Sequence, residues 1–283
     1  RETTVHVDDA LLAVAGSTGG WTLLETSTVR VTLDGDADRY RVAIGSGCDG
    51  SFTETGVVIQ SPITRIRPAR LVDREASRKP LMHETSTVPA VPSTTTEIED
   101  PTTTTIVSGS SVPPDHPDHP SNTSPTVPIS PVSPDDGSAP TLGTDASGRE
   151  FEVLDASELP LEQTLQVCSG SNSATWYRGE VRAARYGGNQ RTVNWVRIEQ
   201  YLRGVVPREM SASWASLGDG AGSRALEVQA VAARSYALAE VRYAYAKTCD
   251  TIRCQVYGGR RARRGSKQWS HEAPETDAAV SAT

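Results

Sequence analysis

The chain of 283 residues carries a formal net charge of −7, which argues against a dedicated nucleic-acid binder. Hydrophobic residues make up 36% and aromatics 5%. That is lean for a fully packed chain of this length and implies that part of it builds no core. No apolar run approaches the ~18 residues of a membrane-spanning helix. The start at Arg1, without Met and without an apolar leader, reads as a fragment or processed form.

Residues 1–72 read as a β-rich segment. VHVDDALLAVA, TVRVTLDG, RYRVAIGSG and GVVIQSPITRIRPA alternate apolar and polar residues between Gly and Asp turns. In DGDAD, Asp34, Asp36 and Asp38 surround Gly35. A calcium loop needs a longer ordered pattern, so a hairpin turn is the better reading. Composition then shifts. Between Pro80 and Pro140 lie 13 of the chain's 18 prolines, set among Ser and Thr. Such a stretch buries too little apolar surface to offset its ordering entropy, so 73–148 reads as a disordered linker or insertion. The two His and two Asp of DHPDHP (Asp115–Pro120) and the acceptor triplet at Asn122 are better taken as linker composition than as sites.

Strand patterns return after Gly148. REFEVLDA, LEQTLQVC, WYRGEVRAARYG and RTVNWVRI alternate, and Gly187-Gly188-Asn189 supplies a hairpin turn. Ile198, Tyr201, Leu202 and Val205 then fall on one helical face, with Gly204 and Pro207 placing its end near Val206. Ala225–Lys247 is Ala-rich and free of Gly and Pro, which predicts a strong, buried central helix. The fold class expected is α+β. RRARRGSK after Gly259 reads as a solvated basic loop, with attraction to anionic polymers as the functional alternative.

YLRGVVPREM, VQAVAARSYA and C-x4-CQVYGG resemble the stage II sporulation protein D / amidase-enhancer LytB family, over roughly Leu165–Thr283. The resemblance implies action on bacterial peptidoglycan by a domain at 149–283, one that continues past the AVSAT of this chain. It also implies an extracellular or cell-envelope location. Cys48, Cys168, Cys249 and Cys254 are then compatible with two disulfides in any of three pairings, and Cys249–Cys254 with Cys48–Cys168 is the expected one. No cofactor is expected. Zinc at Cys249 and Cys254 is the minor alternative to a disulfide or free thiols, since a zinc site needs about four ligands.

Within VVP-x-EM, the position of Glu209 matches the family's catalytic Glu. Lytic transglycosylation of glycan strands runs on one carboxyl. It protonates the leaving glycosidic oxygen, then takes the proton of the sugar's own 6-hydroxyl as the anhydro ring closes. Met210, Val206 and Trp214 offer the apolar setting in which a carboxyl stays protonated. The structural alternative is a carboxylate held by N–H groups at a helix start. Candidate substrate-binding residues are Gln229, Arg234, Ser235, Tyr236, Tyr201 and Tyr257. Arg234 has an ion-pairing role as its rival reading, and both of the latter tyrosines have a core role as theirs. Relatives carry ALKAQ where this chain has Ala225-Leu-Glu-Val-Gln229, so Glu227 replaces a basic residue. The second reading of function is a non-catalytic glycan binder that stimulates a cell-wall amidase.

Overall fold

The computed structural model describes residues 2–35, 38–72, 103–107, 141–156, 158–170 and 172–283. The N-terminal part forms β1 (Glu2–His6), β2 (Leu11–Ala15), β3 (Thr22–Leu23), β4 (Thr28–Leu33), β5 (Arg39–Gly45), β6 (Phe52–Gln60) and β7 (Ile63–Leu71). Next come β8 (Thr103–Val107), β9 (Thr141–Thr144), β10 (Glu150–Val153), β11 (Leu165–Cys168), β12 (Ser173–Tyr177), β13 (Glu180–Tyr186) and β14 (Asn189–Arg197). Helices α1 (Ile198–Glu209) and α2 (Ala221–Ala239) follow, then β15 (Thr248–Cys249), the hairpin β16 (Arg261–Arg264) and β17 (Lys267–Ser270), and helix α3 (Pro274–Ser281).

The fold is α+β. One sheet runs β17-β16-β12-β11-β1-β4-β5-β6, the other β15-β8-β14-β13-β7-β10-β9, with β2 also paired to β7. Both sheets take strands from either side of the Pro-rich stretch. β1 pairs with β11 (Val5 opposite Val167), and β7 pairs with β13 (Ile66 opposite Val181). The segment after Leu71 is therefore an insertion between two parts that share their hydrogen bonding. Its described pieces are both strands. β8 pairs antiparallel with β14 and parallel with β15, and β9 pairs with β10. Residues 141–148, assigned by composition to the linker, are strand and turn. DHPDHP and Asn122 lie outside the described residues, as does Asp36 of DGDAD.

The alternation read from sequence sets the faces. Val29 and Val31 of β4 and Val181 and Ala183 of β13 turn inward and join one core with Val5, Leu165, Ile66 and the buried faces of α1 and α2. Gln190 ties the sheets together. Its Nε2 donates to Thr3 Oγ1 at 2.8 Å and to the Val31 carbonyl at 2.9 Å, and its Oε1 accepts from Leu33 N–H at 2.7 Å. The hairpin at Gly187-Gly188 forms as expected, both glycines at positive φ.

Glu180 faces away from that core yet is 1% exposed. Arg65 and Arg67 of β7 and Arg182 of β13 all donate to its carboxylate. Burial pushes this carboxyl up, but Arg182, Arg67 and Arg65 more than offset it and hold the group down at about 2. Arg182 also lies over the Trp195 ring at 3.8 Å.

Two disulfides form, Cys48–Cys168 and Cys249–Cys254, in the expected pairing. The first joins residues 120 apart in sequence and spans the insertion. Closing so long a loop restricts the unfolded chain most. The double variant Cys48→Ala/Cys168→Ala is expected to lose about 2–4 kcal/mol of unfolding free energy in a denaturant titration. Wild type under reductant should match it, if the short Cys249–Cys254 loop contributes little.

Candidate functional site

α1 is longer than its sequence suggested. It runs through Pro207 to Glu209. A proline in the last turn removes one N–H and leaves the rest of the ladder intact, and the end is closed by Met210 N–H donating to the Val206 carbonyl at 2.9 Å. Glu209 is thus the last residue of a helix, not the first of one. No run of helix-start N–H groups surrounds it.

α2 corrects a second expectation. Gly222, Leu226, Ala230, Ala233 and Ala237 form one buried stripe, while Val228, Val231 and Leu238 are exposed. The helix is half-buried rather than central. It also starts earlier and stops at Ala239, although Ala225–Lys247 contains no breaker. Tertiary contacts override propensity here. Tyr243 and Tyr245 stack at 5.3 Å, and Tyr245 packs on Tyr186 at 4.8 Å, which requires the chain to turn back. Lys247 Nζ then donates to the Leu238 carbonyl at 3.0 Å, capping the helix end. At the other end Gly222 is obligatory. A Cβ there would lie 1.7 Å from the Trp214 carbonyl oxygen.

The two helices pack together and bring Glu209 against Gln229, whose Nε2 donates to Glu209 Oε2 at 2.7 Å. Glu209 is exposed and, among the described residues, makes no ion pair. The apolar enclosure expected from Met210, Val206 and Trp214 does not form: Val206 is in the core, and Trp214 is 44% exposed on its own turn. Helix phase sorts the remaining candidates. At ~100° per residue, Tyr236 lies only about 20° around α2 from Gln229, whereas Arg234 lies about 140° away. Gln229 and Tyr236 therefore share the Glu209 flank. Tyr236 is exposed and hydrogen-bonds Glu240, which raises its hydroxyl pKa above the ordinary value. Sequence reading missed Glu240, though its i, i+4 spacing from Tyr236 was the available signal.

Arg234 belongs to the other flank. Its Nε and Nη2 donate to Glu199 at 2.8 Å each, and Nη2 also donates to the Val280 carbonyl at 3.2 Å, tying α2 to α1 and α3. This is the ion-pairing alternative. Ser235 turns back to donate to the Val231 carbonyl at 2.8 Å and stands on the exposed face away from Glu209. Glu227 is paired with Arg224 at 2.9 Å.

Tyr201 and Tyr257 offer no surface to a sugar, being 0% and 2% exposed. Tyr201 Oη donates to Gln255 Oε1 at 3.0 Å, and Gln255 Nε2 donates to the Ala233 carbonyl at 3.0 Å. Tyr257 Oη donates to Asn194 Oδ1 at 3.0 Å, whose amide donates to the carbonyls of Arg178 and Glu180. Gly204 lets α1 approach this segment, since a Cβ there would be 2.8 Å from the Gly259 carbonyl oxygen. The CQVYGG segment is a buried clamp.

Beside Glu209, Arg208 turns to the opposite side, where its Nη1 lies 2.6 Å from Nδ1 of buried His271. A guanidinium only donates, so Nδ1 accepts and the imidazole is neutral. Burial and then Arg208 push its pKa down to about 4. Cys249 and Cys254 are spent in their disulfide and offer no thiolate to a metal. RRARRGSK is no loop: Arg261–Arg264 is strand β16 of a hairpin turned at Gly265.

These features define a helix-pair site on a mixed scaffold, with one carboxylate at its lip. Residues 186–283 match the family model SpoIID, described as Stage II sporulation protein, so this part of the chain is similar to that family. The match supports a cell-wall-related role in general terms. An uncharacterized protein of Brachyspira hyodysenteriae is 35% identical over 88 residues, covering 30% of this chain. The matched stretch is 22% of that protein, so the chain spans about a fifth of its relative's length. No solved structure matches. No helix among the described residues is long and apolar enough to cross a membrane.

Two measurements check this description. Tyr201→Phe leaves Gln255 Oε1 buried without its donor and is expected to lower stability by about 1–3 kcal/mol in denaturant unfolding. His271 has a lower pKa folded than unfolded, so the unfolded state takes up its proton first as pH falls. Its contribution is complete above about pH 6.5 and is lost progressively down to about pH 4. Over that window wild type should lose about 2–3 kcal/mol more than His271→Gln in unfolding titrations.

Proposed function

We propose that the SpoIID part of this chain is a peptidoglycan lytic transglycosylase in which Glu209 is the single acid/base. The observation that carries the reading is the carboxylate itself. It stands exposed at the end of α1, is oriented by Gln229 at 2.7 Å, and is committed to no cation among the described residues. A structural carboxylate on such a frame would be paired, as Glu199 and Glu180 are.

In its protonated form Glu209 gives its proton to the oxygen linking N-acetylmuramic acid to N-acetylglucosamine. The C1–O bond breaks and positive charge develops at C1. The carboxylate then accepts the proton of the 6-hydroxyl while O6 bonds to C1. One strand ends in 1,6-anhydro-N-acetylmuramic acid, the other in a free 4-hydroxyl, and Glu209 is protonated again. No water and no cofactor enter this balance. Gln229 fixes the carboxyl's rotamer, and Tyr236, on the same flank, is positioned to contact the sugar. Two disulfides support an extracellular or cell-envelope location.

The second reading is a non-catalytic glycan binder that stimulates an amidase. The exposed apolar residues Val228, Val231 and Leu238 on the outer face of α2, a surface that a partner protein could cover, favour it.

Mass analysis of digested glycan strands separates the readings. Glu209→Gln is expected to reduce anhydro-muropeptide release by roughly 10²–10⁴-fold, the ordinary range for a general acid. Gln229→Ala should reduce it by about tenfold through misorientation. Undiminished anhydro products from Glu209→Gln would remove Glu209 from the chemistry. Wild type that yields none, yet accelerates a cell-wall amidase, establishes the second reading.

A further inference from the structure

A pocket of about 310 Å³ lies beside α1, away from the Gln229 flank. Its walls include Arg178, Arg203, Arg260, Arg261, Glu272 and Asp277. Four guanidinium groups thus face two carboxylates, and both carboxylates are already engaged. Glu272 takes a two-pronged bond from Arg178, at 2.6 and 2.8 Å, and lies 3.6 Å from Arg260. Asp277 Oδ2 accepts from Arg203 at 2.8 Å. Glu158 is more distant, 3.5 Å from Arg203 and 3.9 Å from Arg178. Among the described residues, the Arg261 side chain has no hydrogen-bond or ion-pair partner, and the buried Nε of Arg203 has no acceptor.

Burial and crowding act on Arg260 together. Burial, then repulsion from Arg178, and further repulsion from Arg203 and Arg261, hold the Arg260 guanidinium below its ordinary pKa. Arg260 is meanwhile fixed by donating to the Leu159 carbonyl and Thr164 Oγ1, at 2.8 Å each. The positive groups are therefore held close by the fold rather than free to separate. The first turn of α3 also opens on this pocket, through Ala273 and Pro274, and Ala273 provides no side-chain cap.

We propose that this pocket binds a phosphate group carried by a phosphomonoester or phosphodiester. Guanidinium forks match tetrahedral oxyanions with several acceptor oxygens. A phosphomonoester carries about −1.5 to −2 charges at pH 7, against four arginines and two carboxylates in the walls, with Glu158 a third acid at their edge. A carboxylate and a phosphodiester each supply one, so discrimination of the diester from acetate rests on its tetrahedral oxygens and, in a polymer, on the repetition of the group. The pocket is also larger than a bare ion needs, so it leaves room for the group that bears the phosphate. The assignment does not depend on the lytic reading of Glu209, and its test reads binding alone.

The full chain is titrated calorimetrically at low ionic strength in a phosphate-free buffer. The probes are inorganic phosphate, a hexosamine 6-phosphate, polyglycerol phosphate, and acetate as the carboxylate control. Phosphate-bearing probes should bind and acetate should not. Arg261→Gln, which breaks no described contact, should weaken binding by about tenfold, the loss of one charge-assisted contact. Arg264→Gln removes the same charge from the other face of β16 and should leave binding unchanged. Tighter binding of polyglycerol phosphate than of the monoester assigns the ligand to a polymer chain, and the reverse order assigns it to a small phosphorylated sugar. No binding, binding of acetate as well, or equal weakening by both variants overturns the proposal.

Discussion

The hydroxyl of Tyr201 reaches Gln255, and the amide of Gln255 reaches the Ala233 carbonyl in α2. One residue pair beyond, Tyr257 reaches Asn194, whose amide closes on two carbonyls of the strand region around Glu180. Every one of these side chains is at most 5% exposed. A buried polar group without its partner costs about 1–3 kcal/mol, so the chain of bonds is satisfied only when α1, α2 and the sheet hold one relative position. Apolar packing alone would allow the helices to slide by a fraction of a turn. The polar clamp removes that freedom, and the contact between Glu209 and Gln229 inherits its geometry from it.

Charge is arranged in the same spirit. The chain is acidic in total, yet arginines repeatedly join one element to another. Arg65, Arg67 and Arg182 surround Glu180 between β7 and β13; Arg234 joins α2 to α1 through Glu199; Arg203 joins α1 to α3 through Asp277. The buried examples gain most, because a low local dielectric strengthens the pairing, and they also lose most if one partner is removed. The pocket beside α1 stands apart from this pattern. There the arginines outnumber their acids.

Much of this was readable along the chain, and what was not has a common cause. Alternation located β4 and β13 because one face of each is buried, and the Gly187-Gly188 pair announced its turn. The spacing of Ile198, Tyr201, Leu202 and Val205 gave the core face of α1. Helix phase alone separates Gln229 and Tyr236 from Arg234. The end of α2 at Ala239 was not readable, because it is set by Tyr186 on a distant hairpin. Nor did the pattern show that residues 1–72 and the C-terminal half share sheets, since strand partners are chosen in three dimensions. Tyr201 and Tyr257 could be read from sequence either as core or as sugar contacts, because an aromatic ring carries no label of depth. Their partners Gln255 and Asn194 lie 54 and 63 residues away.

The exposure of Glu209 bears on how such a site could act. An acid that must hold and then release a proton works best out of water, and the described residues around this carboxyl do not exclude water. A polymer substrate can supply what the protein lacks. On the lytic reading proposed above, a glycan strand laid along the Gln229 and Tyr236 flank would displace solvent from the carboxyl as it binds, so that the dry environment would exist only in the complex. The protein's part is then to fix the donor's position beforehand, which the 2.7 Å amide contact and the buried clamp beneath it accomplish. On the same reading, an exposed carboxyl would admit a long strand at any point along its length, which an enclosed pocket could not do.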